Sequence, residues 1–350
     1  MPITLAGRTV GTGGPCFFIA EAGVNHDGSL DKAIELAEVA RGAGADAVKF
    51  QSFDAGSLLR RDAAKPGYQV RTTGEGETQY QMLERLQLSE QEERAVADHC
   101  RAIGITFMST PYDVAAVERL TALGVPAIKI ASADIIHGPL LESAARTGLP
   151  VIVSTGAANL DEVRQAVDLL AGAGCDDVIV LQCTTSYPAP PADINLAAMA
   201  ALATLGKPVG FSDHSTGTTL AIAARALGAA VIEKHFTLDP SGPGPDHAAS
   251  LDPRQLAALI AAIREVEVGL GDGVKEVRDI ERDTRALMRR SIVAGRSLTA
   301  GSVLTDDDLA YKRPGTGISP MEWREVVGRR LAIDVEPDHP IARDELTEPA

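Results

Sequence analysis

Residues 230–235 read AVIEKH, a short apolar run that ends in three polar side chains. Seven other runs rich in Val, Ile and Phe precede it, and amphipathic stretches separate them. This alternation is typical of βα units and predicts a parallel sheet. The eight candidate strands are residues 17–21, 47–51, 106–109, 127–132, 151–154, 178–182, 209–212 and 230–235.

Helical patterns lie between these strands. Ser89 and Glu92 form a capping box before one of them, and glycines follow most of the others, as suits the carboxyl ends of helices. The predicted helices are Leu30–Gly42 and residues 89–103, 113–123, 160–170 and 215–227.

Every candidate strand ends in polar residues. A strand can end this way because it reaches solvent, but eight such ends, four of them with Lys or His, favour one shared site. In an α/β protein of the (β/α)8 TIM-barrel class, these ends meet at one mouth, where active sites lie. The 350 residues accommodate a barrel of about 250 residues and one small domain. Residues 54–88 show little periodicity, and we interpret them as a long loop over this mouth.

Charge and composition exclude several classes of function. The net charge of −15 and the pI near 4.9 argue against broad nucleic-acid binding, which uses basic surface. No apolar stretch reaches the roughly 18–20 residues of a membrane span, and residues 1–10 lack the features of a secretory signal, so we expect a cytoplasmic protein. No CxxC pair is present, which argues against a thiolate zinc site. Cys183 is near the predicted site by position only.

Two histidines end the seventh and eighth candidate strands. Strands seven and eight are neighbours in a barrel, so His214 and His235 can reach one ion. Two imidazoles with open positions for water and substrate suit Mn²⁺, Zn²⁺ or Co²⁺. Asp213 and Asp246 are candidates for further ligands or for orienting groups. The alternative is a pair of unrelated polar histidines.

Three lysines, Lys49, Lys129 and Lys234, lie in the second, fourth and eighth candidate strands. A lysine inside a barrel is costly to bury without a counter-charge, and a substrate phosphate or carboxylate would supply one. Neighbouring residues of a strand face opposite ways. Of the three lysines, Lys234 is therefore the one for which an orientation away from the mouth is the strongest alternative.

Carboxylates complete the candidate chemistry. Glu21 ends the first strand, where a general base can stand, although it can also serve only to pair with a lysine. Residues 242–247 read GPGPDH, a rigid turn that holds Asp246 and His247 above the eighth strand. Asp134 and Glu233 are the remaining candidates.

These residues lie in motifs that resemble the sialic acid synthases, a family that includes N-acetylneuraminate, legionaminate and pseudaminate synthases. The resemblance covers nearly the whole chain, in order. The motifs are IAEAGVNHDG (19–28), ADAVKFQ (45–51), STP (109–111), IKI (128–130), STG (154–156), CTTSYP (183–188), GFSDH (210–214), VIEKHFTL (231–238) and GPDH (244–247).

The end of the chain, with RSIVA (290–294) and KRPGTGI (312–318), resembles the small antifreeze-like (SAF) domain of that family. The implied organisation is a synthase barrel (1–270), a linker (271–287) and an SAF domain (288–350). The resemblance further implies a homodimer with swapped C-terminal domains, in which Arg313 reaches the barrel of the partner subunit and binds the acyl group of the sugar.

The resemblance implies a role for each candidate residue. Glu21 matches the catalytic acid/base, and His214 and His235 match the metal ligands, with Mn²⁺ the expected ion and Mg²⁺ or Co²⁺ as alternatives. The phosphoenolpyruvate-binding residues are Lys49, Thr110, Lys129, Ser132, Ser154, Thr185 and Ser212. The sugar-binding residues are Gln51, Asp134, Tyr187, Glu233, Asp246 and Arg313.

The implied reaction joins phosphoenolpyruvate to an open-chain N-acyl hexosamine and releases phosphate by C–O cleavage. Two departures leave the sugar open between N-acetylmannosamine and a 2,4-diacetamido-2,4,6-trideoxyhexose. Asp134 stands where the family usually has Glu, and Thr185 stands in a loop that often carries Asn. Two other functions remain as alternatives, a Schiff-base aldolase that uses Lys129 or Lys49, and a sugar-binding barrel without catalysis.

Overall fold

A computed structural model describes residues 2–11 and 13–348, so residues 1, 12, 349 and 350 of the two predicted domains lie outside the described residues. Within it, eight parallel strands form one sheet in the order β3-β2-β1-β8-β7-β6-β5-β4, and its end strands contact each other. The predicted TIM barrel is therefore confirmed, in nearly closed form. The strands are β1 (Phe17–Gly23), β2 (Ala47–Ser52), β3 (Thr106–Pro111), β4 (Ile128–Ile130), β5 (Val151–Ser154), β6 (Val178–Cys183), β7 (Val209–Asp213) and β8 (Val231–His235).

A helix follows each strand, and its apolar face packs on the outward side chains of the barrel in one continuous core. Three of these helices escaped prediction, and the last of them has clear signals, an Asp252 cap with Gln255 and Pro253 in the first turn. The helices are Leu30–Gly42, Glu90–Ile103, Val114–Leu123, Gly138–Arg146, Leu160–Gly172, Ala198–Ala203, Thr219–Ala226 and Pro253–Leu270.

The barrel interior changes character along its axis. Apolar side chains such as Phe17, Met108 and Ile179 fill the amino-terminal half. A hairpin that the sequence analysis did not predict, Ile3–Leu5 with Arg8–Val10, adds Leu5 to this cluster. The charged residues of the strands therefore lie toward the carboxyl ends, where the cavity opens.

The segment predicted as a long irregular loop, residues 54–88, contains three short helices, which corrects that prediction. They are Ala55–Leu58, Gly67–Thr73 and Gln79–Leu86. Met82 and Leu86 of the third helix pack with Val24 and Phe53 in a separate apolar cluster. Helices this short are marginal alone, so tertiary packing rather than periodicity stabilises them.

The chain divides into two compact units, with the boundary between Gly271 and Asp272. The second unit has its own core around Ile292, Leu298 and Ile341. The predicted linker, residues 271–287, contains most of the helix Arg282–Met288. The other elements of this unit are Ser291–Ala294, Leu309–Lys312, Trp323–Val326, Arg330–Leu331 and Leu346–Thr347. No helix in the described parts of either unit is long and apolar enough to cross a membrane.

Candidate active site

A cavity of about 300 Å³ opens at the carboxyl ends of the barrel strands. Of the first-unit residues to which the resemblance assigns a role, all but Asp134 line it. The ones that line it are Glu21, Lys49, Gln51, Thr110, Lys129, Ser132, Ser154, Thr185, Tyr187, Ser212, His214, Glu233, His235 and Asp246.

Lys49 is the first of two buried lysines in the cavity. Its side chain is 3% exposed, and Nζ lies 2.7 Å from Glu21 Oε2 and 3.6 Å from Glu233 Oε2. Nζ also donates to Thr110 Oγ1 over 2.8 Å. Strand register explains the closest pair, since Glu21 of β1 and Lys49 of β2 are direct neighbours. Lys49 is therefore a cation between two carboxylates, with a hydroxyl beside it.

Lys129 is the second buried lysine, and it enters the cavity from β4. Its Nζ donates to Ser154 Oγ over 2.7 Å and lies 3.7 Å from Glu233 Oε1. Ser212, the neighbour of Glu233 in register, donates to Glu233 Oε1 over 2.9 Å. Glu233 thus lies between the two lysines, and hydroxyls surround the group.

The two carboxylates have opposite electrostatic environments. Burial raises the pKa of Glu21 to about 7, and the attraction of Lys49 offsets this only in part. Burial also acts to raise the pKa of Glu233, but Lys129 and Lys49 outweigh it and lower that pKa to about 2. Such a separation assigns different roles to two like groups. Glu233 is a fixed anion, and Glu21 can exchange a proton near neutral pH.

The two predicted metal ligands lie together. The ring centroids of His214 and His235 are 5.3 Å apart, and the Tyr187 ring lies 4.1 Å from the first and 5.7 Å from the second. His214 Nδ1 is 2.9 Å from the carbonyl oxygen of Thr184, which orients the ring. Cys183 lines the cavity, as its position in the sequence suggested, with Sγ 3.7 Å from His214 Nδ1.

His235 has a ring nitrogen that is available to a metal ion. Its Nδ1 is buried and has no hydrogen-bond partner in the described structure. Burial lowers its pKa well below the usual value, and the nearby His214 adds to the effect. A neutral imidazole is the form that binds a metal. Among the described residues, no group of three or more His, Cys, Asp or Glu could hold an ion, so the fit rests on two imidazoles.

The third lysine, Lys234, points away from the cavity, which is the alternative that strand alternation allowed. It pairs with Asp213 over 2.8 Å, and both side chains are fully buried. Asp213 is therefore engaged away from the cavity, which is against the prediction that it is a further ligand and leaves the alternative that it is an orienting group.

The turn above β8 has the predicted rigidity. His247 contacts Asp27 through Nε2 at 3.0 Å and Thr237 through Nδ1 at 2.6 Å. A Cβ atom at Gly242 or Gly244 would meet its ring within 2.9 Å, so both positions need glycine. This arrangement leaves Asp246 in the cavity, where burial raises its pKa to about 6.

Asp134 and Arg313 are the two predicted sugar-binding residues that remain. Strand β4 ends at Ile130, two residues before the predicted end, and Ser132–Asp134 form a 3₁₀ turn. Ser132 and Ala133 of this turn line the cavity, but Asp134 does not, so the structure does not support its predicted role. Arg313 is an exposed residue of the second unit, where Nη1 contacts Met288 Sδ at 3.3 Å.

The short helices of residues 54–88 supply lining residues that the sequence analysis did not assign. The ring of Tyr68 packs on that of Tyr187 at 4.9 Å. Gln79 Nε2 donates to Gln69 Oε1 over 3.3 Å, and Gln69 Nε2 donates to the Tyr68 hydroxyl over 3.1 Å. The sequence signal that could have identified these residues was the presence of Tyr and Gln in a long connection over the mouth. Other lining residues in this segment are Leu58, Leu59 and Leu83, and Tyr112, which follows β3, lines the cavity as well.

Comparisons with known proteins agree with this geometry. The NeuB family model matches residues 36–275, and the SAF domain model matches residues 289–347. The chain is 45% identical over 325 residues to an N,N'-diacetyllegionaminic acid synthase of Legionella pneumophila, covering 91% of each chain. It is 35% identical over 350 residues to the N-acetylneuraminate-9-phosphate synthase of Homo sapiens, covering 98% of this chain and 97% of the human one.

A solved structure is similar as well. The N-acetylneuraminic acid synthetase of Leptospira borgpetersenii, in complex with citrate, has a TM-score of 0.72 and 34% identity, covering 81% of this chain and 95% of that one. The predicted resemblance to the sialic acid synthases is thus confirmed. A family match over most of the barrel, with relatives along nearly the whole length, shows that the chain belongs to the NeuB family and that its C-terminal part is an SAF domain.

Proposed function

We propose that this chain condenses phosphoenolpyruvate with an open-chain N-acyl hexosamine to form a nonulosonic acid and phosphate. The observation that carries the proposal is the pair of buried lysines, Lys49 and Lys129, beside one fixed carboxylate and one that titrates near neutral pH. Buried cations of this kind suit a small dianionic or trianionic substrate. The names of the relatives support the same class of product.

The lysines and hydroxyls form the half of the cavity proposed for phosphoenolpyruvate. Lys49 and Lys129 provide charge, and the hydroxyls of Thr110 and Ser154 already bond to them. Charge-assisted hydrogen bonds are stronger than neutral ones. Their role is to hold the phosphate and carboxylate so that carbon 3 faces the second substrate, which is catalysis by positioning. Ser132, Thr185 and Ser212 are the further hydroxyls of this half.

The rim of the cavity is proposed to bind the sugar. Tyr68 and Tyr187 offer two aromatic rings tilted by 32° to each other, and Leu58 and Leu83 offer apolar surface for acyl methyl groups. Asp246 provides a buried carboxyl that can bind hydroxyl groups. Gln51, Gln79 and Glu233 are further polar lining residues. Mixed aromatic and polar surface of this kind is typical of sites for small ligands.

We further propose that His214 and His235 hold a divalent metal ion, with Mn²⁺ the expected ion and Mg²⁺ or Co²⁺ as alternatives. When bound, the ion supplies Lewis acidity toward the aldehyde oxygen of the sugar. The residues present fit this group, because His235 Nδ1 is buried without a partner and the Thr184 carbonyl oxygen orients His214. A carbonyl acceptor on one ring nitrogen leaves the other as the ligand atom.

The proposed reaction balances with one water molecule. Carbon 3 of phosphoenolpyruvate bonds to the aldehyde carbon, and the aldehyde oxygen becomes the new hydroxyl. Water adds at carbon 2 while Glu21 takes its proton, which gives a tetrahedral intermediate. The bond between carbon 2 and the bridging oxygen then breaks, and the carbon 2 hydroxyl becomes the ketone and gives its proton to the leaving phosphate. The proton held by Glu21 goes to the aldehyde oxygen, which completes the new hydroxyl. Lys49, 2.7 Å from Glu21, stabilises the carboxylate form that takes the proton.

A pH profile tests the role of Glu21. Because its pKa is about 7 and the proposed base must be deprotonated, kcat is expected to rise as pH increases through about 7. Glu21→Gln should lower kcat by about 10²- to 10⁴-fold and remove this limb of the profile. The control is Glu118→Gln, an exposed site on an outer helix. An unchanged profile in Glu21→Gln would exclude Glu21 as the base.

The cavity favours a sugar without phosphate. Apart from the histidines, its cationic lining residues among those described are Lys49 and Lys129, both assigned to phosphoenolpyruvate. Identity to the legionaminic acid synthase, at 45%, exceeds the 35% to the synthase that makes a 9-phosphate. Both candidate sugars lack a phosphate, so the higher identity to the legionaminic acid synthase decides between them. We therefore propose a 2,4-diacetamido-2,4,6-trideoxyhexose as the substrate in preference to N-acetylmannosamine.

Phosphate release from phosphoenolpyruvate with Mn²⁺, measured with each of these two sugars, tests the function. We expect release with both substrates present and a higher kcat/KM with the trideoxy sugar. Sugar binding without phosphate release would favour the non-catalytic barrel. Covalent trapping by borohydride without a metal requirement would favour the Schiff-base aldolase, with Lys129 as its nucleophile, because burial lowers the pKa of Lys129 while two carboxylates hold Lys49 cationic.

We also propose that the active form is a homodimer with swapped SAF domains, in which Arg313 of each chain serves the cavity of the other. Support comes from the resemblance to the sialic acid synthases and from the SAF match over residues 289–347. The exposed guanidinium of Arg313 has no carboxylate partner among the described residues, so it is available to an N-acyl oxygen or a carboxylate.

A further inference from the structure

Three successive pairs of residues lie at the ends of β7 and β8. Ser212 is the register partner of Glu233, and Asp213 is the partner of Lys234. Ser212 and Glu233 line the cavity, and so do the residues two positions later, His214 and His235, which form the third pair. Asp213 and Lys234 face the other side of the sheet, as alternation requires. A fully buried ion pair therefore lies directly behind the two imidazoles.

This ion pair organises the turn that carries His214. Asp213 Oδ1 accepts hydrogen bonds from the N–H of Ser215, at 2.8 Å, and from its hydroxyl, at 2.6 Å. Lys234 Nζ donates to Asp213 Oδ2 over 2.8 Å and to the carbonyl oxygen of Ser215 over 2.5 Å. The residues on both sides of His214 are thus bonded to the residue that precedes His235.

The backbone of His235 is fixed independently. Its carbonyl oxygen accepts from Leu251 N at 2.9 Å, and the next amide, Phe236 N, donates to Glu21 O over 3.0 Å. The carbonyl oxygen of His214 is fixed in the same way, since it accepts from Ala189 N at 2.9 Å. Lys234 is the side chain that connects the two anchored positions. No substrate function explains Lys234, because it does not line the cavity.

We propose that the Lys234–Asp213 pair is a positioning device that sets the separation of His214 and His235 and so the affinity of the site for its metal ion. Lys234 and Asp213 act through the backbone and touch neither substrate nor ion. The inference rests on the metal site of the proposed function. Burying an ion pair costs desolvation free energy. A role in supporting the metal site would explain why the pair is present, since a metal site loses affinity when its supporting contacts loosen.

The test uses the double variant D213N/K234M in the full-length protein. Asn keeps an acceptor for Ser215, and Met keeps the length of the lysine, so the variant removes the charges and the bond from Nζ to Ser215 while the volume stays filled. The Kd for Mn²⁺, measured by calorimetry or electron paramagnetic resonance, should rise by about 10- to 100-fold. The KM for phosphoenolpyruvate at saturating Mn²⁺ should not change.

The matched control is R225M/E267Q, which removes a second buried pair in the first unit. Arg225 Nε lies 3.2 Å from Glu267 Oε1, and neither residue lines the cavity. The control should lose thermal stability but keep the wild-type Kd for Mn²⁺. A wild-type Kd in D213N/K234M would overturn the proposal. If that variant does not fold, K234Q decides in the same way, because Asp213 keeps both hydrogen bonds from Ser215 and gains an amide donor from Gln; an unchanged Kd in K234Q would count against the proposal.

One further outcome separates this inference from the proposed function. If the wild-type protein does not bind Mn²⁺ at all, the proposed metal site is wrong, and the positioning role is then read from a crystal structure of D213N/K234M. Support would be a change in the ring separation of 5.3 Å between His214 and His235. An unchanged separation would overturn the positioning role as well.

Discussion

Lys129→Met is expected to lower kcat/KM for phosphoenolpyruvate by about a thousandfold, equivalent to about 4 kcal/mol. The side chain of Lys129 is 3% exposed, and its Nζ bonds to Ser154. Met keeps the length and removes the charge, so the substrate loses one of the two lysines that the cavity offers to an anion. Water does not replace the contacts that a buried charge makes. The loss of kcat/KM is therefore larger than the loss from substitution of a surface lysine.

The variant should still fold. Burial lowers the pKa of Lys129, so its removal also removes a desolvation cost, and Glu233 keeps Lys49 and Ser212 as partners. Lys207→Met is the control, because Lys207 bonds to the Asp176 carbonyl oxygen outside the cavity. Steady-state kinetics measure the loss of kcat/KM, and a thermal melt checks that the variant is folded. A Lys129→Met protein with wild-type kcat/KM would remove the lysine pair from the proposed substrate site.

His214→Ala is expected to abolish turnover that depends on metal, with a loss of about three orders of magnitude in kcat. It removes one of only two imidazoles at the site, so the Kd for Mn²⁺ should rise in parallel. His99→Ala is the matched control, since His99 lies on the helix Glu90–Ile103 and pairs with Glu38. Full activity of His214→Ala without added metal would show that the proposed metal role is wrong.

The same variant tests the swapped dimer. Mixing His214→Ala chains with Arg313→Ala chains under conditions that exchange subunits creates dimers in which one cavity combines an intact His214 with an intact Arg313. Random exchange should restore about one quarter of the wild-type activity. Absence of recovery, with exchange verified by mass spectrometry, would contradict a site shared between subunits.

Much of the barrel was readable from the chain alone. The eight strands were each found within a few residues, because buried parallel strands leave short apolar runs that polar ends and glycines interrupt. The residues around the cavity were found for a related reason. Carboxyl ends of the strands must meet in a barrel, so the sequence alone predicts that Lys49, Lys129, His214 and His235 lie together.

Other features depend on contacts between distant segments. The helix Gln79–Leu86 is held by Met82 and Leu86 against Val24 and Phe53, and residues 54–88 as a whole carry little periodicity. Asp134 was expected in the cavity because it stands where the family usually has Glu. The strand ends early, at Ile130, and a 3₁₀ turn follows it, which an apolar strand pattern does not reveal.

The sequence by itself determined the barrel, the family and the types of group that meet at the mouth. Only the tertiary structure decided what each group does there. Glu21 and Glu233 are the same residue type at the ends of neighbouring strands, yet the pKa of one is about 7 and that of the other about 2. Lys234 was one of three similar strand lysines until its partner Asp213 was located. Burial and charge separation depend on distances in three dimensions, and these are not encoded in a periodic pattern.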